Sequence, residues 1–92
     1  MIKNLKIIGL VQGVGFRAAF DRSARGLGLS GWVRNRSDGS VEALVSGDSD
    51  SINKVIEWAR HGPKGAVVKQ IVIEDADGAN VQSGQFLLLP TA

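Results

Sequence analysis

Apolar positions along the chain switch between a spacing of two and a spacing near 3.6, and the switches mark off its elements. Over residues 2–11, Leu5, Ile7 and Gly9 alternate with Asn4, Lys6 and Ile8, the pattern of a strand. A glycine-rich stretch from Gly9 to Gly15 follows. Phe16, Phe20, Ala24 and Leu27 then recur at i, i+4, i+8 and i+11, laying one apolar stripe along a helix over about 17–27. Gly26 and Gly28 close it, because glycine accepts the left-handed backbone in which helices end. Gly31 to Arg36 reads as a second strand, and Ser37-Asp38-Gly39-Ser40 as a hairpin turn, since Asp-Gly supplies the positive φ of tight turns. Val41, Ala43 and Val45 alternate with Glu42, Leu44 and Ser46 in a third strand. Gly47 to Ser51 offers several N-cap candidates, Ile52, Val55, Ile56 and Ala59 mark the inner face of a second helix, and Gly62-Pro63 stops it. Val67 to Asp75 is a fourth strand, 75–84 is polar and turn-like, and Phe86 to Leu89 is a short fifth strand.

The order β-α-β-β-α-β plus a short strand predicts an α+β fold. Two split β-α-β units pack as a two-layer sandwich, both helices on one face of an antiparallel sheet. Right-handed crossovers favour the strand order 4-1-3-2. In that order the first and second strands run parallel with the third between them. Their C-terminal ends then share one edge of the sheet, about 10 Å apart at the backbone.

Composition narrows the chemistry. Ninety-two residues suit one domain spanning 1–92. No run of 18 apolar residues exists, so no membrane span is expected, and charges at Lys3 and Lys6 interrupt what a signal peptide would need. Cysteine is absent, which removes disulfides and thiolate catalysis and suits the cytoplasm. The single His61 has no second ligand at a useful spacing, so no metal site is expected. Eleven basic residues against nine acidic give a net charge of +2, enough to favour small anions and short of a nucleic-acid footprint. A monomer is the default expectation.

Residues 11–17, Val11-Gln12-Gly13-Val14-Gly15-Phe16-Arg17, carry the strongest chemical signal. The stretch links a strand to a helix N-terminus, where unpaired N–H groups and the helix dipole favour an anion. Gly13 and Gly15 let successive N–H groups converge into a nest, and Arg17 in the first helical turn can grip two phosphoryl oxygens. Each piece also has an ordinary reading: a tight connection, a solvated arginine, core phenylalanines at 16 and 20. Asn35, at the end of the second strand, is by itself a common turn former. Gly13-Val14-Gly15-Phe16-Arg17-Ala18 also matches the dinucleotide pattern G-x-G-x-x-A, with Asp38 some twenty residues on. The Asp-Gly hairpin leaves no room for the parallel β-α-β-α-β unit that pattern needs, and Asp38 is better used by the turn.

Taken together, Val11 to Arg17, Leu27-Gly28-Leu29-Ser30-Gly31-Trp32-Val33-Arg34-Asn35 and Asp38-Gly39-Ser40-Val41-Glu42 closely resemble the acylphosphatase family. The likeness continues through Gly62-Pro63 and Ala66-Val67-Val68 to a late aromatic, Phe86, and is weakest over 76–84. The resemblance implies a ferredoxin-like sandwich that hydrolyses small acyl phosphates to a carboxylate and inorganic phosphate, without a cofactor. It implies that the backbone of Gln12, Gly13, Val14, Gly15, Phe16 and Arg17 and the Arg17 side chain bind the phosphoryl group. Asn35 is implied to position the attacking water. Inorganic phosphate or sulfate would then compete for the site. The family often carries Tyr or Lys just after the arginine, where this chain has Ala18-Ala19-Phe20.

So small a set can suffice. The leaving group is a carboxylate, stable as an anion at neutral pH, so no general acid is required; phosphoryl transfer asks mainly for positioning and charge stabilisation. The remaining carboxylates read as turn, cap and strand-surface residues, His61 as a helix-end cation, Trp32 and Trp58 as packing residues, and Lys64 as a solvated or rim charge. A non-catalytic phosphate-binding domain is the runner-up. RNA binding by the sheet is a poor third, since Trp32 and Phe86 are the only strand aromatics.

Overall fold

Each strand turns one apolar row toward the helices, and burying those rows sets the architecture. The structure is a computed structural model and describes residues 1–78 and 81–92. In chain order the elements are β1 (Ile2–Leu10), α1 (Phe16–Gly26), β2 (Ser30–Asn35), β3 (Val41–Ser46), α2 (Ser49–His61), β4 (Val67–Asp75) and β5 (Phe86–Leu88). The sheet order is β4-β1-β3-β2-β5. The first four strands pair antiparallel in the predicted order 4-1-3-2, and β5 joins the β2 edge in parallel, Gly31 opposite Phe86 and Val33 opposite Leu88. The sheet is therefore mixed where antiparallel pairing alone was expected. Alternation locates a strand but says nothing of the neighbour it selects, so the parallel edge had no signature in the sequence.

Leu5 and Ile7 of β1, Val33 of β2, and Val41, Ala43 and Val45 of β3 are all 0% exposed against the helices. The predicted stripes meet them: Phe16, Phe20 and Ala24 from α1, and Ile52, Val55, Ile56 and Ala59 from α2. Trp58 packs as expected, its ring centroid 5.4 Å from Phe16 and 5.9 Å from Phe20. Trp32 does not join this core. It lies half-buried on the uncovered face of the sheet, with the Arg34 guanidinium 4.7 Å from its ring centroid.

The helix ends follow the local chemistry. Asp48 caps α2, its Oδ1 accepting from the Ser51 N–H at 2.8 Å. At the end of α1, the Leu29 N–H donates to Ala24 O and the Gly28 N–H to Arg25 O, a Schellman closure with Gly28 at its pivot. In the β2–β3 turn, Asp38 Oδ1 accepts from the Ser40 N–H at 2.9 Å and its hydroxyl at 2.6 Å, so Asp38 is used by the turn. The turn-like reading of 75–84 falls partly on residues 79 and 80, which lie outside the described residues; on either side, Ala76 N–H donates to Ile2 O and Gln85 N–H to Gln82 O. Among the described residues no helix is long and apolar enough to cross a membrane.

Candidate active site

Between the last residue of β1 and the first of α1 the chain makes successive turns, with Gly13 at φ 77° and Gly15 at φ 76°. Both values lie in the left-handed region that a side chain disfavours, and this is the backbone that gathers N–H groups into a concave nest. Helix α1 opens with no side-chain cap and no acidic residue in its first turn. Its first bond runs from the Ala19 N–H to Gly15 O at 3.0 Å, so the N–H groups before it are left to a ligand or solvent. Uncapped donors, the positive end of the dipole and no carboxylate in the first turn together suit an anion.

Arg17 is half-buried beside this loop. Its Nη1 donates to Leu89 O at 2.9 Å, which fixes the plane of the guanidinium and leaves its other donors for a ligand. Asn35, the last residue of β2, is held through its backbone: its carbonyl accepts from the Ala92 N–H at 2.9 Å. Its side-chain Oδ1 is buried and has no hydrogen-bond partner. An orphaned buried oxygen costs on the order of 1–3 kcal/mol and marks a place for a donor such as water.

These groups meet in one cleft of about 320 Å³, lined by Val11, Gln12, Gly13, Gly15, Phe16, Arg17, Ala18, Asn35 and Leu88. The two strand ends expected to share an edge of the sheet do so. Among the described residues that line it, Arg17 is the one charged side chain. Two nearby arginines, Arg34 of β2 and Arg36 just after it, are otherwise engaged: Arg34 Nη2 lies 2.8 Å and Arg36 Nη1 3.1 Å from Glu42 Oε1. Lys64 is exposed on the turn after α2 and is not part of the lining. A larger cavity of about 500 Å³ lies between the end of α1 and the start of β5, but its Arg25 is spent on Asp21 and on Phe86 O. Among the described residues no three His, Cys, Asp or Glu side chains gather as they would around a metal ion.

Two residues of the loop have side chains with other duties. Val14 packs against the core and touches the region of Gly65. Phe16 is 1% exposed, a core residue as its place in the helical stripe suggested. Gln12 carries a function the sequence reading did not find. Its Nε2 donates to Arg36 O at 2.7 Å and to Ser40 O at 2.9 Å, tying the loop to the hairpin that begins beside Asn35. Leu88 and the Leu89 carbonyl were also missed, because both depend on where β5 pairs. The altered residue after Arg17, Ala18, does border the cleft.

The acylphosphatase family model matches residues 3–86. An acylphosphatase of Azoarcus sp. (strain BH72) is 53% identical over 87 residues, covering 95% of this chain and 87% of that protein. The solved acylphosphatase of Coxiella burnetii superposes with a TM-score of 0.87 at 35% identity, over 96% of this chain and 90% of that one. The crystal structure of the Bacillus subtilis acylphosphatase gives 0.85 at 29% identity, over 97% and 99%. With a nest of backbone donors, an anchored arginine and a buried asparagine on the matching scaffold, the chain belongs to the acylphosphatase family of enzymes.

Proposed function

We propose that this protein hydrolyses the carboxyl–phosphate bond of small acyl phosphates, with Arg17 and the 12–17 backbone binding the phosphoryl group and Asn35 orienting the water. The observation that carries the division of roles is the unpartnered, buried Oδ1 of Asn35 in the same cleft as the loop and Arg17. A water donating to that oxygen is held with its lone pair toward phosphorus. It attacks, the bond from phosphorus to the acyl oxygen breaks, and the electron pair leaves with the carboxylate. The water proton passes to a phosphoryl oxygen of the substrate. Charge on the equatorial oxygens is met by backbone N–H groups and the guanidinium, so no metal takes part. Asn35 acts through position and never changes protonation. The same reading makes inorganic phosphate and sulfate competitors for the cradle. It also describes residues 1–92 as one domain working as a monomer in the cytoplasm.

Release of phosphate from acetyl phosphate tests this. Arg17→Ala should weaken phosphate inhibition and lower kcat, whereas Asn35→Ala should lower kcat by about 10²–10³ while leaving phosphate inhibition nearly intact. A chelator should leave the rate unchanged. Wild-type protein that binds phosphate yet turns nothing over would overturn the hydrolytic reading in favour of a phosphate-binding domain. Equal loss of phosphate affinity in the two variants would overturn the division of roles.

A further inference from the structure

The phosphoryl end of the cleft is polar, but its outer wall is not. Ala18, one residue past Arg17 in the first turn of α1, is half-buried along the cleft, and Leu88 of β5 borders it at 41% exposure. The two flank the arginine, because the carbonyl that anchors Arg17 belongs to Leu89, the residue after Leu88. The other apolar side chains of the lining, Val11 and Phe16, are each 1% exposed and belong to the core. An acyl group that reaches beyond the phosphoryl cradle therefore meets methyl and isobutyl surface.

Among the described residues that line the cleft Arg17 is the one charged side chain, so a second anionic group on the substrate finds no other cation in the lining. Arg17 is committed to the phosphoryl group and to Leu89 O, and Arg34 and Arg36 are bound to Glu42. A carboxylate set against this wall loses water and gains nothing, whereas a short hydrocarbon chain covers exposed apolar surface. We propose that Ala18 and Leu88 form an acyl-binding wall that selects acyl phosphates with an uncharged, apolar acyl group over those carrying a second anion. The proposal rests on the hydrolytic reading of the site.

Butanoyl phosphate and succinyl phosphate make a matched pair: the same cleaved bond and the same four-carbon chain, ending in a methyl or a carboxylate. Acetyl phosphate, too short to use the wall, serves as the reference. The expected result is a kcat/KM for butanoyl phosphate about tenfold or more above that for succinyl phosphate, measured as phosphate release. Leu88→Lys and Ala18→Lys, both at solvent-accessible positions, should each shrink that ratio by about tenfold by pairing the carboxylate and removing apolar surface. A wild-type ratio near one overturns the proposal while acetyl phosphate turnover leaves the hydrolytic reading standing, and so does a ratio unmoved in both lysine variants. Failure to hydrolyse any of the three overturns both.

Discussion

Gln12 sits in the first turn after β1, and its amide reaches two carbonyls 24 and 28 residues further along the chain. Those carbonyls, Arg36 and Ser40, flank the β2–β3 turn that starts one residue after Asn35. The side chain thus links the anion cradle to the strand end that carries the water-orienting group, the one spacing that proposed catalysis must hold. Gln12→Leu removes both donors and should destabilise the fold by about 1–3 kcal/mol in urea unfolding. With the cradle no longer tied to Asn35, kcat should drop about tenfold or more. Gln12→Glu, which sets a carboxylate against two carbonyl oxygens, should be the worse of the two. A polar residue before a glycine is common in loops, so nothing local distinguished this one. The placement of Arg17 and Asn35 was legible, one in the first turn of a helix and the other at a strand end, whereas the role proposed for Asn35 came from the family resemblance.

Among the elements, β5 is the shortest and bears most directly on the site. Phe86 is 3% exposed, its ring 6.0 Å from Phe20, and the Leu89 N–H donates to Val33 O at 2.9 Å. These contacts hold the Leu89 carbonyl where Arg17 uses it and place Leu88 on the cleft. Phe86→Ala should cost about 3–5 kcal/mol, lowering the melting temperature by more than about 10 °C. Assayed where the variant remains folded, it should also lose kcat. Ile52→Ala, removing a residue equally buried on α2, should cost stability in the same range and keep its kcat. If both variants lose activity in proportion to stability, β5 positions nothing. The other elements were readable from their own residues: both helices from an apolar stripe, the hairpin from Asp-Gly. The partner strand of β5 was not, because three residues carry too short an alternation to specify parallel or antiparallel pairing.

At the scale of the molecule, acidic groups work away from the cleft. Hydrogen bonds from the Ser40 hydroxyl and N–H, and the ammonium of Lys6, hold Asp38 well below the usual carboxylate range. Burial pushes Glu42 up, but hydrogen bonds from Arg34 and Asn4 and the charges of Arg34 and Arg36 outweigh it and leave it lowered. The Ser51 N–H and hydroxyl lower Asp48, and the bond from Lys3 lowers Asp75. Each of these carboxyls binds its proton less readily folded than unfolded, so each adds stability that is complete above its unfolded pKa and is lost as pH falls through the folded value. The unfolding free energy should therefore hold level from about pH 8 down to about 5 and decline once pH drops below about 4.5. Urea titrations across that range check it. Asn35, the proposed water-orienting group, is an amide with no ionisable proton, so kcat should follow the ionisation of the substrate phosphoryl group between pH 6 and 8.

The sequence by itself determined the element order, the faces that form the core, the sandwich of helices on a sheet, and the pairing of an anion loop with Asn35. All of these follow from spacing along the chain and from the few topologies that right-handed crossovers allow. Only the tertiary structure decided the parallel β5, the duty of the Gln12 amide, the anchoring of Arg17 on Leu89, and the apolar wall of Ala18 and Leu88. Each of these is a contact between residues far apart in the chain or on strands that choose their neighbour. Such contacts are settled by which surfaces the whole molecule buries, which no local period records. The proposed anion cradle was suggested by seven consecutive residues; the contacts that tie that loop to the rest of the molecule were not legible there.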